Sequence, residues 1–228
     1  MVRLKALVPL GAKHAVRRVL RRPSGNARRY LPRDVTVEQF LRGLTEAGVR
    51  YAVLRWFETL PAVGAGEDID VLVADEHLPL VESRLTPYRP SASAQKVDLY
   101  SASGLPRTTF GGSSYFPLPL AEKVLDEAVL LHGAFRVPSP LRHLESLAYH
   151  AVHHKGAASG LPRNAASGER PQGRIAETLD RLAAETGTPL ELTLDGLTAF
   201  LAARGFAPSA EESALLGAER RRLYPAEI

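Results

Sequence analysis

The sequence predicts an α+β protein, with a small mixed β-sheet and flanking helices followed by an all-helical C-terminal part. In the first part of the chain, short β-branched and aromatic runs alternate with helical patterns, which is typical of a mixed sheet with helices between its strands. The later part shows only helical periodicity. We therefore predict a basic N-terminal arm at 1–33, a mixed α/β domain at 34–138 and a helical domain at 139–228. A Gly- and Pro-rich segment at 156–173 is predicted to be a flexible loop.

The first element of the mixed domain is predicted to be a helix. Thr36 and Gln39 have the pattern of a capping box at its start, and Gly48 is a good stop. The apolar stripe of this helix consists of Phe40, Leu41 and Leu44. Residues 49–56 (VRYAVLRW) follow directly and are rich in β-branched and aromatic side chains, which predicts a strand.

Two further strands are predicted on either side of a short helix. Residues 68–73 (DIDVLV) have the clearest strand pattern of the chain, and 96–100 (KVDLY) have another, with the short helix at 76–85. The later elements are predicted as a helix at 120–131, an extended piece at 135–137, a helix from 139 to about 155, and helices at 175–185, 194–204 and 210–223.

Composition excludes several classes of protein. An apolar share of 45% with 24% charged residues is ordinary for a globular chain, so wholesale disorder is excluded. No apolar run approaches the roughly 18 residues that a membrane-spanning helix needs. The absence of cysteine excludes a disulfide framework, thiolate metal sites and a cysteine nucleophile. We expect a cytoplasmic protein.

The basic residues are concentrated in the N-terminal arm. Residues 1–33 contain ten Lys or Arg and no acid, so the rest of the chain has 19 basic against 25 acidic residues. Val16, Val19 and Leu20 alternate with arginines, which predicts a short basic amphipathic helix that Pro23 stops. Three interpretations stay open: a solvated leader, an arm that docks on an anionic membrane surface, and an arm that binds nucleic acid.

Three aspartates carry the strongest chemical signal. Asp68 and Asp70 are two residues apart in a predicted strand, so they project to the same side about 6–7 Å apart. Two such carboxylates repel each other unless water or a cation relieves the repulsion. Asp98, in the next predicted strand, could complete a set of hard oxygen donors that suits Mg²⁺. The alternative is a structural Asp-x-Asp pair at the edge of a strand.

This order of helix, VRYAVLRW, turn-rich loop, DIDVLV, helix and KVDLY resembles the nucleotidyltransferase superfamily with the DNA polymerase beta-like catalytic fold. More narrowly, it is similar to bacterial nucleotidyltransferase-like proteins, where a turn like RVPSP leads into a helix like LRHLESLAYHAVHHKG. The resemblance covers about residues 36–156. It implies that Asp68, Asp70 and Asp98 bind Mg²⁺ or Mn²⁺, and that ATP or another nucleoside triphosphate donates a nucleotidyl group to an acceptor. Asp98 is also the candidate to accept the proton of the attacking group.

One part of the family pattern is replaced. The Gly-Ser pair that cradles the triphosphate is absent, and the strand that would carry it ends in Leu54-Arg55-Trp56. Arg55 either grips phosphate with its planar guanidinium or pairs with Glu58 or Asp70. The replacement leaves a second function open, in which the chain is a catalytically degenerate adaptor with the nucleotidyltransferase fold, tethered to a membrane or partner by its basic arm.

The predicted helix near 139–155 holds the remaining candidates. Lys155 falls on its apolar stripe, where a lysine is unusual. It either points toward the triphosphate, as the resemblance implies, or extends into solvent at the helix end. His143, His150 and His154 share another flank of this helix. The alternatives for these histidines are a metal pair, a contact to phosphate, and buried polar packing.

Overall fold

The computed structural model describes residues 26–64, 66–92 and 94–225. In chain order the elements are β1 (Arg29–Tyr30), α1 (Val37–Glu46), β2 (Tyr51–Val53), β3 (Ile69–Val73), α2 (Leu78–Ser83), β4 (Lys96–Ser101), α3 (Leu118–Asp126), β5 (Val129–Leu131), β6 (Phe135–Val137), α4 (Pro140–Tyr149), a π-helix (His150–Lys155), α5 (Gly173–Thr186), α6 (Leu194–Ala203) and α7 (Ala210–Leu223). The α+β class is confirmed. The predicted amphipathic helix of the arm lies outside the described residues.

The main sheet is small and mixed, as predicted. Its four strands lie in the order β1-β4-β3-β2, with β3 parallel to β4 and the outer pairs antiparallel. Strand β1 belongs to the segment that the sequence assigns to the arm, so the end of that arm is part of the sheet. Strands β5 and β6 form a separate antiparallel hairpin.

Local sequence rules explain where the first helix begins. The Thr36 hydroxyl accepts a hydrogen bond from the Gln39 amide at 3.1 Å, and the Gln39 side chain accepts one from the Thr36 amide at 2.9 Å. This reciprocal capping box satisfies two backbone donors that the first helical turn leaves unpaired. The buried side of α1 consists of Phe40, Leu41 and Leu44, the stripe that the sequence predicts.

The two faces of the sheet belong to two apolar clusters. Because side chains alternate along a strand, Ile69, Val71 and Val73 of β3 face the cluster that contains α1. Leu72, between them, faces a second cluster that continues through α3, α4, α5, α6 and α7. The C-terminal helices therefore pack directly on the sheet face that carries the even-numbered residues of β3 and β4.

The helix that follows β6 widens before it ends. Its α-helical part stops at Tyr149, and the chain continues as a π-helix to Lys155. Single π-helical turns are rare and are often found at functional sites. The predicted loop that follows is anchored at residues 161 and 162: Leu161 is buried, and the Pro162 carbonyl accepts a hydrogen bond from the Leu194 amide at 2.9 Å.

None of the helices in the described part of the chain has the length and apolar character that a bilayer crossing requires.

Leu72 is fully buried on a central strand of the sheet, so truncating its side chain should destabilise the protein strongly. We expect Leu72→Ala to lower the free energy of unfolding by about 3 kcal/mol, since it removes buried methyl groups and leaves a cavity. Leu130→Ala is the matched control, because half of Leu130 is exposed on the hairpin, and we expect a change below about 0.5 kcal/mol. If urea denaturation showed the same loss of stability for both variants, the assignment of the Leu72 face of the sheet to the apolar core would be contradicted.

Candidate functional site

The register of β3 and β4 brings the three aspartates to one face of the sheet. Asp70 lies directly opposite Asp98 in the parallel pair, and Asp68 precedes Asp70 by two residues. Since side chains two residues apart share a face, all three carboxylates project to the side that the C-terminal helices cover. We call these three residues the carboxylate face. Asp70 is buried, and 22% of the Asp98 side chain and 38% of the Asp68 side chain are exposed.

Lys96 lies between two of these carboxylates. Its ammonium contacts Asp68 and donates to Asp98 Oδ2 at 2.8 Å. Burial alone lowers the pKa of Lys96, but the hydrogen bonds to both aspartates outweigh this effect and raise it. Burial raises the pKa of Asp98, while Lys96 opposes the rise and Asp70 and Asp68 add to it. Lys96 thus supplies the positive charge that makes this pair of acids tolerable.

Arg55 neutralises the third carboxylate. It stands just after β2, its side chain is 10% exposed, and its Nη2 donates to Asp70 Oδ2 at 2.6 Å. Of the two structural partners that the sequence suggests for Arg55, Asp70 is the one it contacts, while Glu58 lies 3.8 Å from Arg181. Every carboxylate of the face therefore has a cationic partner within the chain.

The carboxylate face is the candidate site for a divalent cation. Within the described residues, no three His, Cys, Asp or Glu side chains are arranged so that they could hold a metal ion. The donor type alone suits Mg²⁺ or Mn²⁺, because all three side chains present hard oxygen donors, but in this arrangement they do not form a site. A metal at this face would have to take the place of the Lys96 ammonium between Asp68 and Asp98.

A buried polar chain continues from Arg55 into the helices. Arg55 Nη1 contacts the Tyr115 hydroxyl and lies 2.9 Å from His150 Nδ1. A guanidinium has only donors, so His150 Nδ1 must be the acceptor and carries no proton. His154 Nδ1 lies 3.2 Å from the same nitrogen. The tautomer of His150 follows from its contact with a group that can only donate.

Both histidines are neutral for a clear physical reason. Burial, followed by the charge of Arg55, holds the pKa of His150 and of His154 well below the usual range. The His154 ring lies between aromatic neighbours, with ring centroids 4.1 Å from Tyr115 and 4.4 Å from Phe110. Within the described part of the chain, its Nε2 is buried without a hydrogen-bond partner. The predicted alternative of buried polar packing describes the contacts of these histidines.

Lys155 is not paired with the carboxylate face. It ends the π-helix and donates from Nζ to the Tyr224 hydroxyl at 2.7 Å, just beyond α7. Its ammonium also lies 5.0 Å from the centroid of the Tyr224 ring. Of the five candidate residues from the sequence, Arg55 lies with the three aspartates, whereas Lys155 contacts Tyr224 instead.

Sequence reasoning missed two members of this site. Lys96 could have been found, because it is two residues from Asp98 in a predicted strand and so shares its face. Tyr115 could not, since it comes from a loop whose composition gives no periodic signal. Its hydroxyl is nevertheless central, because it contacts Arg55 and lies 2.9 Å from His150 Nδ1.

The buried histidines predict a loss of stability in mild acid. Burial, with smaller contributions from Arg181 and Arg55, lowers the pKa of His143 to about 3. The unfolded chain binds a proton there at about pH 6.5, so the stabilising contribution is complete above that pH and is lost as the pH falls toward 3. Between pH 7 and pH 5 we expect His143 alone to account for about 2 kcal/mol of the fall in the free energy of unfolding.

Urea denaturation at the two pH values checks this expectation. His143→Leu should reduce the difference between them, while His132→Asn, at an exposed histidine of the hairpin, should leave it unchanged. Identical pH dependence in His143→Leu and the wild type would contradict the assignment of His143 as a neutral buried group.

The likeness to nucleotidyltransferases rests on the order of elements and on the three carboxylates. Scans against protein-family models and against curated protein sequences find no match to this chain. Membership of the superfamily therefore stays a prediction, and the residues of the carboxylate face and their cationic partners carry the functional proposal.

Proposed function

We propose that this chain is a Mg²⁺-dependent nucleotidyltransferase that moves a nucleoside monophosphate from ATP, or another nucleoside triphosphate, to an acceptor hydroxyl or phosphate. The observation that carries the proposal is the register of β3 and β4. It sets Asp70 opposite Asp98 on parallel strands, with Asp68 on the same face. Mg²⁺ sites in nucleotide-binding enzymes use one or two carboxylates together with phosphate oxygens, and this face offers three.

The arrangement of elements supports the same proposal. A helix leads into β2, β2 and β3 form an antiparallel pair, and a short helix connects β3 to the parallel strand β4. This is the order that the resemblance to the polymerase beta-like core implies. In the proposed enzyme the helices after β6 form the second part of the molecule and shape the pocket for the acceptor.

The aspartates would hold the metal and prepare the attacking group. Asp68, Asp70 and Asp98 would bind Mg²⁺ or Mn²⁺, which supplies Lewis-acid stabilisation of charge on the phosphate oxygens when bound. Asp98 is the candidate to take the proton of the acceptor hydroxyl.

The two resident cations would change partners. If Asp68, Asp70 and Asp98 held a metal, Arg55 and Lys96 would lose their carboxylate partners, and phosphate oxygens would compensate these two positive charges. Arg55 is suited to this exchange, because its planar guanidinium binds phosphate in a bidentate manner and Tyr115 and His150 hold it from the opposite side. Lys155 would have to leave Tyr224 to reach the triphosphate, so its predicted role in binding the cofactor depends on that movement.

A second function is favoured by the pairing of the carboxylates. All three already have cationic partners, and the Arg55–Asp70 pair is nearly buried. Separating a buried pair without a replacement leaves an uncompensated charge at a cost of about 3–5 kcal/mol. Together with the missing Gly-Ser, this supports an adaptor that keeps the fold without the chemistry and uses its basic arm to bind a membrane or a partner.

Calorimetric titration of Mg²⁺ and ATP distinguishes the two functions. In the nucleotidyltransferase, wild type and Asp180→Asn should bind, since Asp180 is an exposed acid on α5. We expect Asp70→Asn and Asp98→Asn to bind at least about tenfold more weakly, because each lacks a metal ligand. Asp98→Asn is included because Asp70→Asn leaves Arg55 without its partner and could impair folding, which circular dichroism would report. The absence of heat with every nucleoside triphosphate in the wild type would refute the nucleotidyltransferase.

The adaptor makes a different prediction about the arm. Residues 1–25 should be removed rather than 1–33, because Arg29–Tyr30 is part of the sheet. If the chain is an adaptor for anionic membranes, the full chain and Asp70→Asn should sediment with phosphatidylglycerol vesicles, and the truncated chain should not. Failure of the full chain to sediment would count against membrane docking. Retention on RNA or DNA with a steep salt dependence would instead assign the arm to nucleic acid.

A further inference from the structure

Trp56 has an unusual backbone conformation beside the carboxylate face. It is the only tryptophan of the chain and it follows Arg55 directly. Its φ of 55° lies in the left-handed region, which large side chains adopt rarely and which is concentrated at binding and active sites. This conformation follows directly on Arg55, the residue that pairs with Asp70.

The indole of Trp56 has an apolar contact and a cationic contact. It packs against the apolar cluster that joins the sheet to the C-terminal helices. The guanidinium of Arg174, from the first turn of α5, lies over the indole, 3.9 Å from its centroid. Half of the Arg174 side chain is exposed, and its Nη1 lies 3.3 Å from Glu67 Oε1. We call this arrangement the Trp56–Arg174 stack.

The stack adjoins the carboxylate face at two points. Trp56 is the chain neighbour of Arg55, and Glu67, which pairs with Arg174, is the chain neighbour of Asp68. Neighbouring Cα atoms are about 3.8 Å apart, so both ends of the stack are fixed to residues of the proposed metal and phosphate site. The Trp56–Arg174 stack therefore borders the proposed metal and phosphate site along the chain.

We propose that the Trp56–Arg174 stack is the platform for the nucleobase of the donor nucleotide. The base stacks on the exposed plane of the Arg174 guanidinium, with the indole supporting it from below. Arginine planes and aromatic rings both stack on bases, and stacking tolerates any base because each has a π-face. This inference rests on the proposed function, because the base and the triphosphate belong to one ligand, and it adds the residues that recognise the nucleoside.

The single tryptophan allows a direct fluorescence experiment with adenosine. Adenosine has no phosphate and binds without a metal, so it tests the base platform separately from the metal site. Titration of adenosine into the full chain should change the emission of Trp56 in a saturable manner. Arg174→Ala should weaken this binding roughly tenfold, since it removes the stacking plane. Arg174→Lys keeps the charge without the plane and should weaken it to a similar extent. Arg181→Ala is the matched control, because Arg181 is a second exposed arginine of α5.

Each outcome supports or overturns the proposal. Saturable binding that Arg174→Ala and Arg174→Lys weaken, and Arg181→Ala does not, supports it. No saturable change in the wild type, or equal binding by all four chains, overturns it, provided that circular dichroism shows them folded. If adenosine binds as expected but Mg²⁺ with ATP binds no more tightly than adenosine, the base platform is supported and the nucleotidyltransferase proposal is refuted. If Mg²⁺ with ATP binds but adenosine leaves the emission of Trp56 unchanged, the base platform is refuted and the nucleotidyltransferase proposal is supported.

Discussion

The ion pair between Arg55 and Asp70 joins the central sheet to the helices that cover it. Asp70 comes from β3 and Arg55 from the turn after β2, and the guanidinium continues to Tyr115 and to His150 of the π-helix. Because both charged side chains are nearly buried, neither can be removed without leaving the other as an uncompensated charge. The polar contact of the π-helix with the sheet thus depends on two charges that have to be present together.

The same principle explains how three carboxylates share one face of a small sheet. Arg55 compensates Asp70, and Lys96 compensates Asp68 and Asp98 from the middle of the face. The unliganded protein therefore carries its own counter-ions. In the proposed enzyme, Asp68, Asp70 and Asp98 could hold a metal only by giving up Lys96 and Arg55, and a triphosphate would give these two side chains a new partner.

The C-terminal helices hold the other side of the π-helix. Glu145 is buried between Arg142 and Arg204, which ties α4 to the end of α6. Beyond α7, Tyr224 accepts a hydrogen bond from Lys155. The apolar cluster that these helices share runs without a break onto the sheet, so the boundary that composition suggests near residue 139 does not separate two apolar cores. Lys155 is consequently held by Tyr224, the residue after the last helix, whereas the resemblance implies that it points toward a triphosphate.

The sequence by itself determined the α+β class, most of the elements, and the face that the three acids share, because the two-residue period of a strand fixes the side to which each residue projects. The same period places Lys96 beside Asp98. Only the tertiary structure decided the partners of Arg55, since Tyr115 is 60 residues and His150 is 95 residues further along the chain. Periodicity predicts the direction of a side chain relative to its own helix or strand. The packing of the apolar faces determines which distant element that side chain contacts, and this packing depends on all elements of the chain.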